Sequence, residues 1–207
     1  MNPVIRTLGL AGALAVVAAF SGCASRSLEH FYTVSGPQST STSNATPEIA
    51  VAPVAIPPLI DRPQFVVRAS GHEVSVLEDH RWAEPLARDL TRALVDGLRT
   101  SSGGVEVAER DTARARVAPF MLEVTVSELI AGPGPQATLR ASWVLRDRPR
   151  ACVRTGRFAV DVPMQAGFEA IPVAYAVAMS RLATTISETV GRSMSCLESA
   201  RAQGSEG

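Results

Sequence analysis

Two runs of strict alternation constrain this chain more than any other feature. Phe120, Leu122, Val124 and Val126 alternate with Met121, Glu123, Thr125 and Ser127. Leu139, Ala141, Trp143 and Leu145 alternate with Thr138, Arg140, Ser142 and Arg146. A period of two sends alternate side chains to opposite faces, so each run reads as a half-buried antiparallel strand. Residues 152–162 supply a third strand, with Phe158, Val160 and Val162 on one face, and the three form a meander. The opposite face is assigned Arg140, Arg146, Arg154, Arg157 and Glu123, and is either solvated or docked to a partner.

A sheet with one apolar face needs a second layer to cover it. Two helices are available. Trp82, Leu86, Leu90, Leu94 and Leu98 fall at successive i+4 steps, with Arg88, Asp89, Arg92, Asp96 and Arg99 opposite. That is an amphipathic helix with one buried stripe. Pro85 fits only its first turn, which places the start between Arg81 and Glu84; residues 101–104 stop it. Phe168, Ile171, Tyr175, Met179, Leu182, Ile186, Val190, Met194 and Leu197 mark a longer helix, with Pro172 near its start. Shorter strands are expected at 31–34, 49–56, 64–69, 73–77 and 105–108. Pro53 makes the second an edge strand or a bulged one, and Ser70-Gly71-His72 closes a hairpin between the third and fourth. The fold class is α+β: a mostly antiparallel sheet of about six to eight strands with two amphipathic helices packed on one face.

The N-terminus carries one charge, Arg6, then an apolar run from Leu8 to Phe20, then Ser21-Gly22-Cys23. This is the layout of a secretory signal. A cysteine after the small pair is the bacterial lipobox pattern, with Phe20 where Leu is commonest. Cys23 is then the lipidation site; the alternatives are a non-cleaved anchor or an ordinary signal peptide. The run is short of the ~20 residues a span needs. Two or more acyl chains hold a protein stably at a bilayer. Ala24 and Ser25 follow the cysteine without the Asp that retains a lipoprotein at the inner membrane, which points to the periplasmic face of the outer membrane. The resulting division is 1–22 signal peptide, 23–30 lipidated N-terminus and tether, 31–198 a single domain with a flexible loop at 35–48, and 199–207 a disordered tail.

The 207 residues include 20 basic and 20 acidic ones, and every basic residue is Arg. A neutral chain lacks the basic face that a nucleic-acid binder needs. With Cys23 acylated, Cys152 and Cys196 remain as an even pair in an oxidising compartment, read as a disulfide against the alternative of two buried thiols. Such a bridge closes about 45 residues and contributes roughly 4 kcal/mol in the chain-entropy model.

Val54-Ala55-Ile56-Pro57-Pro58, then Leu59-Ile60-Asp61-Arg62-Pro63-Gln64, then Arg81-Trp82-Ala83-Glu84-Pro85-Leu86 resembles the PqiC (YmbA) family of ABC-type transport auxiliary lipoproteins. Phe31-Tyr32-Thr33-Val34 resembles that family's Tyr-Tyr-Thr-Leu start. Leu59 stands where Tyr is usual, and Asp96-Gly97 replaces a common Asn before Leu98. The resemblance implies an outer-membrane lipoprotein working with a periplasmic MCE-domain (PqiB-like) protein, in a system that moves phospholipid between membranes and maintains their integrity.

The motif residues Ile56, Pro57, Pro58, Asp61, Arg62, Pro63, Arg81, Trp82, Glu84, Pro85 and Leu86 have two readings. In the structural one, Asp61 or Glu84 pairs with Arg62 or Arg81 and Trp82 anchors the core. In the other, Arg62, Arg81 and Trp82 face a partner, where Trp and Arg dominate binding. No catalytic motif is present: Gly-x-Ser-x-Gly, Cys-x-x-Cys, His-Glu-x-x-His and a phosphate-cradling loop are all missing. His30, His72 and His80 match no metal spacing, and His72 and His80 read as solvated. The expectation is a non-enzymatic subunit without metal or cofactor, binding no nucleic acid, with lipid passing through a channel made jointly with the MCE protein or through a ring of copies of this chain. The competing readings are an assembly lipoprotein for an outer-membrane β-barrel and a periplasmic hydrolase.

Overall fold

The computed structural model describes residues 28–35, 48–102, 105–132, 134–147 and 153–204, with side chains up to residue 189. The elements run β1 (His30–Tyr32), β2 (Ile49–Val51), β3 (Gln64–Ser70), β4 (Glu73–Trp82), α1 (Leu86–Ser101), β5 (Val107–Glu109), a short 3-10 turn (Ala113–Val117), β6 (Phe120–Ala131), β7 (Gln136–Asp147), β8 (Val153–Pro163) and α2 (Ala170–Gly204). Eight strands form one sheet. The β6–β7–β8 meander is its backbone, with Leu122 opposite Leu145, Val124 opposite Trp143 and Leu139 opposite Val160. The other edge of β6 is shared. β2 runs parallel along Phe120–Leu122, and β3 meets Ala131 through Val67, so the sheet forks. One branch ends in β5 and the other in β4 and β1. Three antiparallel ladders carry most of the paired residues, and short parallel contacts join the rest.

Alternation explains which face is covered. Leu122, Leu139 and Leu145 are fully buried beneath Leu90, Leu94 and Leu98 of α1 and Met179, Leu182 and Ile186 of α2. By length and composition Ala170–Thr189 would serve as a membrane span. Its Ile171, Tyr175, Met179, Leu182 and Ile186 instead bury against the sheet, which makes it the core helix. The helices approach closely because Gly97 has no side chain: a Cβ there would lie 2.8 Å from Ala183 Cβ. Gly71, at φ 47°, turns the β3–β4 hairpin in the left-handed region that glycine tolerates.

Several expectations need correction. Arg154 stands opposite Leu145, whereas Arg157 stands opposite Ser142. They stand three positions apart, an odd offset, so the pleat sends them to opposite faces, and Arg154 leaves the outer set. The strand expected over 49–56 shrinks to Ile49–Val51 and lies inside the sheet, between β5 and β6. Pro53 breaks it, and pairing resumes only where Ala55 donates to Val124 at 3.0 Å and accepts from Val126 at 2.8 Å. β4 extends to Trp82, so Trp82 belongs to a strand and α1 begins at Leu86. The residue before a proline resists the helical region, which holds Glu84 outside the helix. α2 continues to Gly204, through most of the stretch expected as a tail. Both ends of the expected 35–48 loop are fixed: Ser35 is buried and Glu48 donates to Glu106 at 2.8 Å. Residues 1–27 with Cys23, residues 36–47, Cys152 and the Cys196 side chain lie outside the described residues and side chains.

Candidate functional site

The two halves of the motif part company in three dimensions. In the first half, residues 57–63 form a turn in which Pro57 accepts from Ile60 at 3.1 Å and Asp61 at 3.2 Å. Ile60 is buried and Ile56 packs against the core. At the exit Pro63 accepts from the Trp82 amide at 2.7 Å, so the turn is pinned at both ends. Prolines at 57, 58 and 63 stiffen it further. Pro58, Leu59, Asp61, Arg62 and Pro63 all face solvent. Beside it lies a groove of about 330 Å3, walled by Leu59, Ile60, His72, Val74, Leu129 and Ile130. The charges at its rim are already matched: Glu128 binds Arg68 at 2.8 Å and Arg140 at 3.0 Å.

The second half is built into the domain. Trp82 is buried, its ring 4.1 Å from Phe65 and stacked on Tyr175 at 5.7 Å. Burial raises the Tyr175 hydroxyl far above the ordinary tyrosine value, with a hydrogen bond to Ala131 partly offsetting it. Leu86 is buried, and Pro85 sits as the N-cap of α1 without a side-chain cap. Glu84 binds Arg92, with Arg88 at 3.9 Å, placing a carboxylate near the helix N-terminus where the dipole favours it.

The pairing expected between Asp61 or Glu84 and Arg62 or Arg81 does not form. Arg81 points off the edge of β4 to Glu29 of the N-terminal lead at 3.2 Å, and Glu84 turns to the helix. Asp61 and Arg62 have no ion pair or side-chain hydrogen bond among the described residues. Of the three residues assigned to a partner surface, Trp82 is excluded by burial, Arg81 is engaged, and Arg62 is left facing solvent unpaired.

Sequence reasoning missed Asp89. Placed on the polar side of the α1 pattern, it is in fact 1% exposed. It accepts from the Val34 amide at 2.6 Å, the Ser35 amide at 2.9 Å and the Thr33 hydroxyl at 3.0 Å, and Arg92 lies at 3.3 Å. Two residues on, buried Thr91 accepts from the Val54 amide at 2.9 Å. One helix thus holds both chain segments that flank the 36–47 stretch. The only sequence signal was a charged residue so near the apolar stripe. His80 also departs from expectation: it lies in β4, its side chain 14% exposed, stacked with Tyr32 and 2.8 Å from Asp79. No group of three or more His, Cys, Asp or Glu among the described residues has metal-binding geometry.

A two-layer α+β domain with an outward-facing, proline-rich turn beside an apolar groove is the class this arrangement defines. The chain belongs to the family of ABC-type transport auxiliary lipoprotein components, whose profile matches residues 32–187. That is the PqiC/YmbA-type lipoprotein family. A crystal structure described as an uncharacterized protein aligns with a TM-score of 0.67 at 18% identity, over 79% of this chain and 99% of its own. A second, from Xanthomonas campestris and assigned to DUF330, aligns at 0.56 and 21% identity, over 70% and 86%. At these identities the likeness is one of fold. No curated protein matches the sequence.

Proposed function

We propose that this protein is a non-catalytic auxiliary subunit of an MCE/ABC-type lipid transport system, held by acyl chains on Cys23 to the periplasmic face of the outer membrane. Its partner is a periplasmic MCE-domain protein, and its contribution is to raise the local concentration of a docking surface at the membrane. The observation that carries the reading is the exposed Asp61-Arg62 step, unpaired among the described residues, on a proline-braced turn beside an apolar groove. Both side chains are exposed, and neither makes an ion pair or side-chain hydrogen bond among the described residues, which leaves them available to a partner.

Arg62→Ala tests it. Folding should be unchanged, because Arg62 is exposed and makes no ion pair or side-chain hydrogen bond among the described residues. Binding to the MCE partner in a membrane pull-down should weaken by about 2 kcal/mol, roughly thirtyfold. Undiminished binding refutes the site, and recovery of a β-barrel in place of an MCE protein would favour the assembly reading. Cys23→Ser should abolish palmitate incorporation and release the protein from membranes.

The Cys152–Cys196 bridge belongs to the same proposal. β8 spans about 33 Å from Val153 to Pro163 at strand rise, and α2 returns about 39 Å from Ala170 to residue 196 at helix rise. α2 packs along β8 and β7, and the similar lengths of the two elements support the bridge.

A further inference from the structure

We propose that the β1 edge is the face this domain lays against the lipid bilayer. The inference rests on acylation of Cys23. Leu28 is 81% exposed and Phe31 61%, and they are the large apolar residues nearest the anchor in the chain. Five residue steps separate Cys23 from Leu28. At no more than about 3.5 Å each, they keep Leu28 within about 17 Å of the headgroups whatever path they take.

The anchor does not pull on a loose string. β1 lies in parallel register with β4, His30 to His80 and Tyr32 to Trp82. Ala83 donates to Tyr32 at 2.7 Å, and the next residues are held by Asp89. A force at Leu28 therefore orients the whole domain. Pleating puts Phe31 and Arg81 on one side of this edge and His30, Tyr32 and His80 on the other. Phe168, 40% exposed, stands edge-on to His80 at 4.5 Å and widens the second side. Aromatic rings with polar neighbours are suited to headgroup depth. The one flanking arginine, Arg81, is paired with Glu29, while Glu78 accepts a hydrogen bond from neutral Gln64 and Asp79 is hydrogen-bonded to His80, so among the described residues this edge presents no unpaired arginine to a lipid phosphate. Contact is thus made by apolar insertion rather than by attraction to anionic lipid, and should be insensitive to salt.

The test uses full-length acylated protein in vesicles of phosphatidylethanolamine and brominated phosphatidylcholine. Native Trp82 and Trp143 are buried and give a constant background. Phe31→Trp adds a reporter at the edge, and Val117→Trp, on the other branch of the sheet and 66% exposed, is the control. The added emission of Phe31→Trp should fall by about half on brominated lipid, at any protein density, while that of Val117→Trp is unchanged. Equal emission from both variants, with palmitate present on Cys23, overturns the docking face and leaves the anchor standing. Shielding from iodide that rises with protein density, without bromine quenching, overturns it in favour of a second copy covering the edge. Absence of palmitate on Cys23 overturns the anchor, and this inference with it.

Discussion

Asp89→Ala should be the most damaging polar substitution in the domain. The carboxylate is 1% exposed and accepts two backbone amides, from Val34 and Ser35, plus the Thr33 hydroxyl. Hydrogen bonds to a charged group contribute about 1.5–3 kcal/mol each, and orphaning a buried donor costs its full desolvation. Arg92 would also lose one of its two carboxylate partners, Glu84 remaining. Removing one partner of a buried ion pair costs about 3–5 kcal/mol, and the terms overlap because they share one carboxylate. The expected loss is therefore about 3–5 kcal/mol, a large share of the ~5–15 kcal/mol that holds a typical domain. Asp89→Asn keeps one acceptor and should lose about half as much. Urea unfolding followed through buried Trp82 and Trp143 reads both variants. A loss under about 1 kcal/mol for Asp89→Ala would show that the clamp on residues 33–35 is not structural.

Gly97→Ala should destabilise by about 1–2 kcal/mol despite better helix propensity, because its new methyl meets Ala183; adding Ala183→Gly should restore most of the loss. The hydrogen bond with His80, reinforced by backbone, holds the Asp79 carboxyl below its ordinary value of 3.8. With the folded value lowered, the contribution to stability is complete above the unfolded value and is lost as pH falls through the lowered one. A carboxyl titration by NMR should find Asp79 titrating below 3.8, and His80→Ala should move it back up. Non-reducing mass analysis of purified protein should find Cys152 and Cys196 joined, two hydrogen atoms lighter than the free thiols, and a fully reduced chain would dismiss the bridge.

What was legible in the sequence was whatever repeats within one element. The alternation at 120–126 and 139–145 encodes face and strand together, so the meander and its covered side could be read directly. The leucine series of α1 and the apolar series of α2 were equally plain. Failures arose where a distant segment decides. Trp82 fits an i+4 ladder to Leu86 only by coincidence of spacing, and β1 and Pro63 claim it for the sheet. Parallel pairing of β2 with β5 and β6 leaves no local trace, so an interior strand looked like an edge. Asp89 reads as solvated until residues 33–35 are laid over it. At the motif, resemblance identified the residues, but only their burial and bonding separate the half that holds the domain together from the half that faces outward.

The fork in the sheet also dictates an order of assembly. β6, β7 and β8 are consecutive and can close as each hairpin emerges, whereas β2 has no neighbour until β5 and β6 arrive. Pairings between remote parts of a chain form slowly, and strands waiting for them are prone to stray association. Ile49, Ala50 and Val51, all buried in the finished sheet, therefore stay without their strand partners until the chain has been delivered through β6.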